Sequence, residues 1–271
     1  MHHTNMEMSH DFDGRPLVHP DRPRPRKRPL KALHHFRKLV QNKEDTEQVF
    51  RIFEALPRKA FRAEASAFAL SEKGRALFDS ERFLPDLLDD HDRLRAMPEG
   101  SVAHAYCDFM EAEGLTAAGL VAEDAKMDRR RYGDMVEWYG NRGRDTHDLL
   151  HVLTGYGRDA LGEQCVLAFT YGQQPSPAHL FIAYAGGANM KKTAKTKAPV
   201  FKAINEAKRL GKGCPRVQEE CIESLLAEPL EAARERLQIA RPRWYQECHR
   251  VFREEEGRDP YDLMGRTAAA A

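Results

Sequence analysis

The chain has no paired cysteines to build on. Its five cysteines, Cys107, Cys165, Cys214, Cys221 and Cys248, are odd in number and none stands in a CxxC pair. That excludes a disulfide framework and a structural zinc knuckle, and leaves reduced, mostly buried thiols. Cys214 and Cys221 fit no common ligand spacing. No apolar run approaches the ~20 residues that a membrane span needs; the longest, Leu180 to Ala185, is far too short. The N-terminus lacks the apolar core of a signal peptide, and Glu7, Asp11 and Asp13 are acids that a mitochondrial presequence avoids. A bacterial-type cytoplasmic protein without cleavage is the expectation. Charge of one sign is also missing: 43 Lys and Arg face 42 Asp and Glu, a net charge of +1, so nothing calls for nucleic acid. Sustained alternation of apolar and polar residues is absent too, so no sheet is expected.

What remains is a helical pattern in a chain of 271 residues, long enough for one domain with a well-buried core. Residues 1–28 are rich in Pro, His, Asp and Arg and have little apolar periodicity, which predicts a disordered tail. The basic run Arg22–Arg28 in it is better explained as solvated chain than as a contact for anionic lipid. From Leu30 onward Leu33, Phe36, Leu39 and Val40 share a helical face. Asp45 with Gln48 three residues on resembles a capping box. Further helical patterns cover about 57–79, 84–95, 101–113, 126–141, 144–154, 158–172, 176–188, 198–210, 215–239 and 242–256. Gly and Pro punctuate them. The fold class is all-α, a single multi-helix domain over 29–256 with a C-terminal tail at 257–271.

Chemistry concentrates at His147-Asp148-Leu149-Leu150-His151. Two histidines four apart lie on one face of a helix, one turn from each other. Asp148 falls within the same third of the circumference. Two imidazoles and a carboxylate on one arc suit a divalent cation; the alternative is an ordinary set of hydrogen-bonded histidines. Glu163 is too far along to join them on a straight helix, about 18 Å at ~1.5 Å per residue. Gly155-Tyr156-Gly157 supplies a turn, and a helix–turn–helix hairpin would bring Glu163 opposite the histidines. Arg144, four before Asp148, is placed to pair with Asp148 or to orient the site from behind.

The pattern HDxxH-x11-E resembles the signature of the Coq4 family of ubiquinone (coenzyme Q) biosynthesis proteins. The block Arg144–Gly155 resembles the family's central block, and Arg95–Tyr106 with Phe109, Met110, Glu111, Gly114 and Leu115 resembles a second one upstream. The resemblance covers roughly residues 30–240, and residues 172–202 depart from the pattern. It implies a helical fold that holds a polyprenyl lipid in an apolar cleft between helices. It also implies a position peripheral to the inner membrane, a homodimer as a compatible assembly, and association with other ubiquinone-biosynthesis proteins. His147, Asp148, His151 and Glu163 match the family's metal ligands and would be its catalytic residues. Zinc is the family assignment; iron, manganese or cobalt also suit such a set. The implied activity is metal-dependent oxidative decarboxylation of a polyprenyl-hydroxybenzoate, with a non-catalytic lipid-binding scaffold as the alternative. An HD-type phosphohydrolase, which would need a further His and Asp such as His104 and Asp159, is the third and weakest reading. A membrane-resting helix is expected at the cleft mouth, with Leu180–Ala188 and Lys191, Lys192, Lys195 and Lys197 as candidates.

Overall fold

The computed structural model describes residues 12–42 and 45–264. The chain forms α1 (Pro29–Gln41), α2 (Thr46–Ala55), α3 (Phe61–Leu70), α4 (Glu72–Ser80), α5 (Leu84–Leu88), α6 (His91–Arg95), α7 (Val102–Glu113) and α8 (Ala117–Ala125). It continues with α9 (Met135–Asp145), α10 (His147–Thr154), α11 (Ala160–Gln173), α12 (Pro177–Ala194) and α13 (Val200–Gly213). The last helices are α14 (Ile222–Ala227), α15 (Leu230–Arg236) and α16 (Arg243–Arg250). The fold is all-α. Among the described residues no strand forms, and the one β contact is an isolated bridge between Ser101 and Pro229.

Several boundaries differ from the sequence pattern for identifiable reasons. The pattern over 57–79 breaks at Ser71, whose hydroxyl accepts the N–H of Gly74 and starts α4. The pattern over 126–141 begins only at Met135, because Asp134 caps that helix by accepting from Glu137. Helix α8, absent from the expected set, is started by Thr116. Asp45 does stand before α2, but its side chain takes the Gln48 amide and makes no cap bond to the backbone.

The main core runs through α7, α10, α11, α12 and α13. Helices α11 and α13 pack backbone to backbone: a Cβ on Gly211 would collide with the carbonyl of Phe169, and one on Gly172 with the chain around Lys208 and Gly211. Four of the five cysteines are buried and all are free. A second, aromatic cluster joins α3, α4 and α9 through Phe68, Phe78, Trp138 and Tyr139. The N-terminal segment contributes to it. Residues 12–28 form no helix, yet Phe12 is buried against Phe78, and the His19 amide and Arg22 guanidinium both bind Asp134. A buried carboxylate needs such donors, so the segment expected as a free tail is held from Phe12 onward; residues 1–11 lie outside the described residues. At the other end Leu263 is buried, while residues 265–271 lie outside the described range.

The helix at Leu180–Ala188 is part of α12, and it does not rest outside the molecule. Ala178, Ile182, Ala183, Gly187, Met190 and Ala194 are buried, and Phe181 and Tyr184 pack on the core. Lys191 is turned back to the Ala198 carbonyl. No helix is long and apolar enough to cross a membrane among the described residues.

Candidate metal centre

Helix α10 is short because Gly155 ends it. Gly155 takes the left-handed conformation at φ 73° and its N–H closes on the His151 carbonyl. The chain turns, and Asp159 starts α11 by accepting the N–H groups of Leu161 and Gly162 at 3.0 and 3.2 Å. The turn is compact: a Cβ on Gly162 would strike the Gly157 carbonyl. It is also pinned from a distance. Tyr245 donates its hydroxyl proton to Asp159 and accepts the Gly157 N–H at 2.9 Å, and His249 Nε2 lies 3.2 Å from the same carboxylate. Local sequence could not reveal this brace, since Tyr245 is 86 residues from Asp159.

The hairpin brings His147, His151 and Glu163 together, with one ligand atom from each within 4.8 Å of the others. His147 Nε2 is 3.6 Å from Glu163 Oε2, and His151 Nε2 is 3.6 Å from Glu163 Oε1. These gaps are too long for hydrogen bonds. They match the spacing of two ligands about 2.0–2.2 Å from one tetrahedral ion, which stand about 3.3–3.6 Å apart. His151 is fitted for the task. Its Nδ1–H donates to the Tyr156 carbonyl at 2.9 Å, which turns the Nε2 lone pair toward Glu163. That Nε2 is buried with no hydrogen-bond partner. Phe109 lies nearly parallel to the ring, its centroid 5.4 Å away, and limits its rotation. Burial opposes charge at both sites, yet mutual attraction wins: Glu163 is held well below the usual carboxylate range by His151 and His147, and His151 is raised. The convergence of three ligand atoms at this spacing fits a divalent cation.

Asp148 behaves differently. It is buried and lines the same cleft, but its carboxylate is outside the converging group. Arg144 is turned away from Asp148; its Nε binds Asp145 and its Nη1 binds Asp124. The arginine beside the centre is Arg158, whose Nε is 3.6 Å from Glu163 Oε1. His104 is held by the carbonyls of Arg95 and Met97, and Asp159 is the α11 cap. Neither joins the histidines, so the phosphohydrolase constellation does not assemble.

A second trio, His91, Cys107 and Glu111, also converges. Its carboxylate is already committed, one oxygen to His91 at 3.1 Å and the other to Arg95 at 2.8 Å. Burial pushes the Cys107 thiol up, away from the thiolate a metal needs. The α10–α11 centre is thus the stronger candidate.

His147, Asp148 and Glu163 open onto a cleft of about 2500 Å³. Phe36, Val49, Phe53, Leu150, Leu167 and Ile182 contribute apolar walls.

Fold and site together define an all-α protein with a histidine–carboxylate trio on a helical hairpin at the wall of a large cleft. The family model of the coenzyme Q (ubiquinone) biosynthesis protein Coq4 matches residues 36–243. The chain belongs to the Coq4 family of ubiquinone biosynthesis proteins. It is 29% identical over 154 residues to the mitochondrial ubiquinone biosynthesis protein COQ4 homolog of Bos taurus, covering 56% of each chain. The Rattus norvegicus homolog is 30% identical over 155 residues, again 56% of each. The chain thus spans about half the length of these curated relatives. The crystal structure of a candidate ubiquinone biosynthesis protein from Nostoc punctiforme superposes with a TM-score of 0.58 at 21% identity. That alignment covers 79% of this chain and 99% of the other. At this identity the likeness speaks for the fold alone.

Proposed function

We propose that this protein carries out metal-dependent oxidative decarboxylation of a polyprenylated 4-hydroxybenzoate: the C1 carboxylate leaves as carbon dioxide and a hydroxyl takes its place, with dioxygen as the two-electron oxidant, water consumed and hydrogen peroxide released. The observation that carries the reading is the orphaned Nε2 of His151, aimed with His147 and Glu163 at one point on the wall of the cleft. A cleft of about 2500 Å³ exceeds the ~300–1,000 Å³ of pockets for drug-sized ligands and suits a long apolar tail. A divalent ion there would supply an electrophile for an oxygen of the ring and, if redox-active, a means to handle dioxygen. The residues' own part is to hold position. His151 is fixed by Tyr156, Glu163 by the α11 start, and Arg158 offers a cation to an entering carboxylate. Asp148 lines the cleft beside the trio and would add negative charge there.

The test is purified protein with farnesylated 4-hydroxybenzoate, dioxygen and a panel of ions. Iron, manganese or cobalt should support turnover and zinc binding at most, and His147→Ala or Glu163→Ala should abolish product. Equal product from wild type and His147→Ala would remove the trio from the chemistry. The scaffold alternative would then stand: it requires the cleft and a lipid, but no turnover.

A further inference from the structure

The cleft contains a polar group that the metal trio does not use. His179 sits on α12, on the same helix face as Ile182, Gly186 and Met190, which also line the cleft. A turn of 3.6 residues places positions 179, 182, 186 and 190 in one row. The His179 Nδ1 is buried with no hydrogen-bond partner. Phe53 packs edge-on against the ring at 4.6 Å and holds its plane. Burial, with the charges of His147 and Arg58 in reach, pulls its pKa down to about 3, so the imidazole is neutral and offers one donor and one acceptor. A second buried orphan belongs to another residue that lines the cleft: Gln164 Oε1, next in sequence to Glu163 and wedged against Gly186, where any Cβ would collide with it. Buried polar groups are almost always satisfied, and an orphan in a cleft wall costs stability unless a ligand completes it.

We propose that His179 reads the phenolic hydroxyl of the aromatic head group, at the end of the ring opposite the carboxylate. The proposal rests on the ligand reading given above and deepens it. A 4-hydroxybenzoate carries its two oxygen functions at opposite ends of the ring. The charged end belongs with the trio and Arg158. The other end carries a neutral O–H, for which a neutral imidazole is the complementary partner; a charged residue there would favour a second anion instead. A site built to hydrogen-bond a hydroxyl rejects the analogue that lacks it, because its own polar atom is then left unpaired.

The test compares 3-farnesyl-4-hydroxybenzoate with 3-farnesylbenzoate by titration calorimetry, on the full chain in excess zinc so that no turnover intervenes. Wild type should bind the hydroxylated probe at least about tenfold more tightly. His179→Leu should bring the two probes within about threefold by weakening only the hydroxylated one, and His179→Gln should restore part of the preference. Thermal melting separates this from a structural role. Replacing an unsatisfied buried imidazole with an apolar side chain should leave Tm unchanged or raise it. Two outcomes overturn the proposal while the ligand reading stands: wild type binding both probes equally, or His179→Leu keeping the wild-type preference. Failure of wild type to bind either probe overturns the ligand reading, and this proposal with it.

Discussion

Two buried charged clusters in this molecule have opposite characters. Every guanidinium nitrogen of Arg142 is answered. Its Nε binds the Gln218 carbonyl, Nη1 the Glu81 carbonyl, and Nη2 both the Glu81 carboxylate and the Glu220 carbonyl. Glu81 in turn accepts the Glu223 amide at 2.8 Å. This network ties α9 to the chain beyond α13. Around His151 the polar atoms are brought close and left unanswered, with 3.6 Å gaps where hydrogen bonds would close. Arg142 and His151 are both buried, so burial of the central residue does not distinguish scaffold from site. Satisfaction does: a buried ion with all its partners holds the fold, and one with its partners held just out of reach is fitted for something else.

The sharpest way to break that comparison is to remove one member of each cluster. Arg142→Met leaves the Glu81 carboxylate buried without its cation, and should cost about 3–5 kcal/mol in urea unfolding. Glu163→Ala, measured without added metal, should stay within about 1 kcal/mol of wild type, because Glu163 is 31% exposed and stands 3.6 Å from each histidine, beyond hydrogen-bond reach. A loss at Glu163 as large as that at Arg142 would make the trio another structural network.

Adding metal should close most of that gap. An ion present at a hundredfold excess over its dissociation constant stabilises the folded state by about 2.7 kcal/mol. Wild type should therefore gain Tm with zinc or cobalt and lose it with chelator, while His151→Ala and Glu163→Ala should not respond. An equal metal shift in wild type and His151→Ala would place the ion elsewhere, with His91, Cys107 and Glu111 the next group to test.

What could be read from the sequence followed local geometry. Two histidines four apart, a glycine past a helix end and a carboxylate in the next first turn are relations of neighbours, and they led to the trio. Asp148 shows the limit of that logic: the helical arc places it beside the histidines, but the angle of about 100° per residue is enough to carry its carboxylate out of the group. Arg144 fails in the same way, because Asp124, twenty residues upstream, competes for it. The brace of Tyr245 and His249 on Asp159, the Arg142 network and the packing of Phe12 all depend on contacts between segments far apart in sequence. His179 carries no sequence signal whatever; one histidine in an apolar helix is legible only once its missing partner can be seen. The expected membrane helix was misassigned for a related reason. Lys191, Lys192, Lys195 and Lys197 mark a helix end, while the burial of Ala178, Ile182, Ala183, Gly187, Met190 and Ala194 along α12 is a tertiary fact.

A smaller effect concerns acid. Asp124 is fully buried, which opposes its charge, yet Arg129, Arg131 and Arg144 hold its pKa below the usual value. A carboxyl lowered on folding contributes stability that is fully present above its unfolded pKa near 3.9 and is lost as pH falls through the folded value. Asp124→Asn should thus cost about 1–3 kcal/mol at pH 7. It should also flatten the decline of stability below about pH 4. A low-pH limb as steep as that of wild type would assign the acid sensitivity to other carboxylates.

The smallest effect on stability should come from the outer face of α1, and there the comparison passes from the interior to the surface. Phe36, Leu39 and Val40 of α1 border the cleft, while Leu30 and Leu33 are 82% and 38% exposed. Exposed Arg24, Arg26, Lys27 and Arg28 precede them, and Arg37 and Lys38 follow. An amphipathic helix with apolar tips and flanking cations at a cleft mouth suits an anionic bilayer, where each basic residue near the surface contributes about 1 kcal/mol and each buried leucine about 1.5–3 kcal/mol. The double substitution Leu30→Glu with Leu33→Glu should change folding stability by no more than about 0.5 kcal/mol, since neither side chain is packed. It should remove most binding to anionic vesicles in flotation, and binding by wild type should weaken as salt is raised. Undiminished flotation by the double variant would move the contact off α1. Flotation of wild type that ignores both salt and anionic lipid content would leave the basic residues without a part in it.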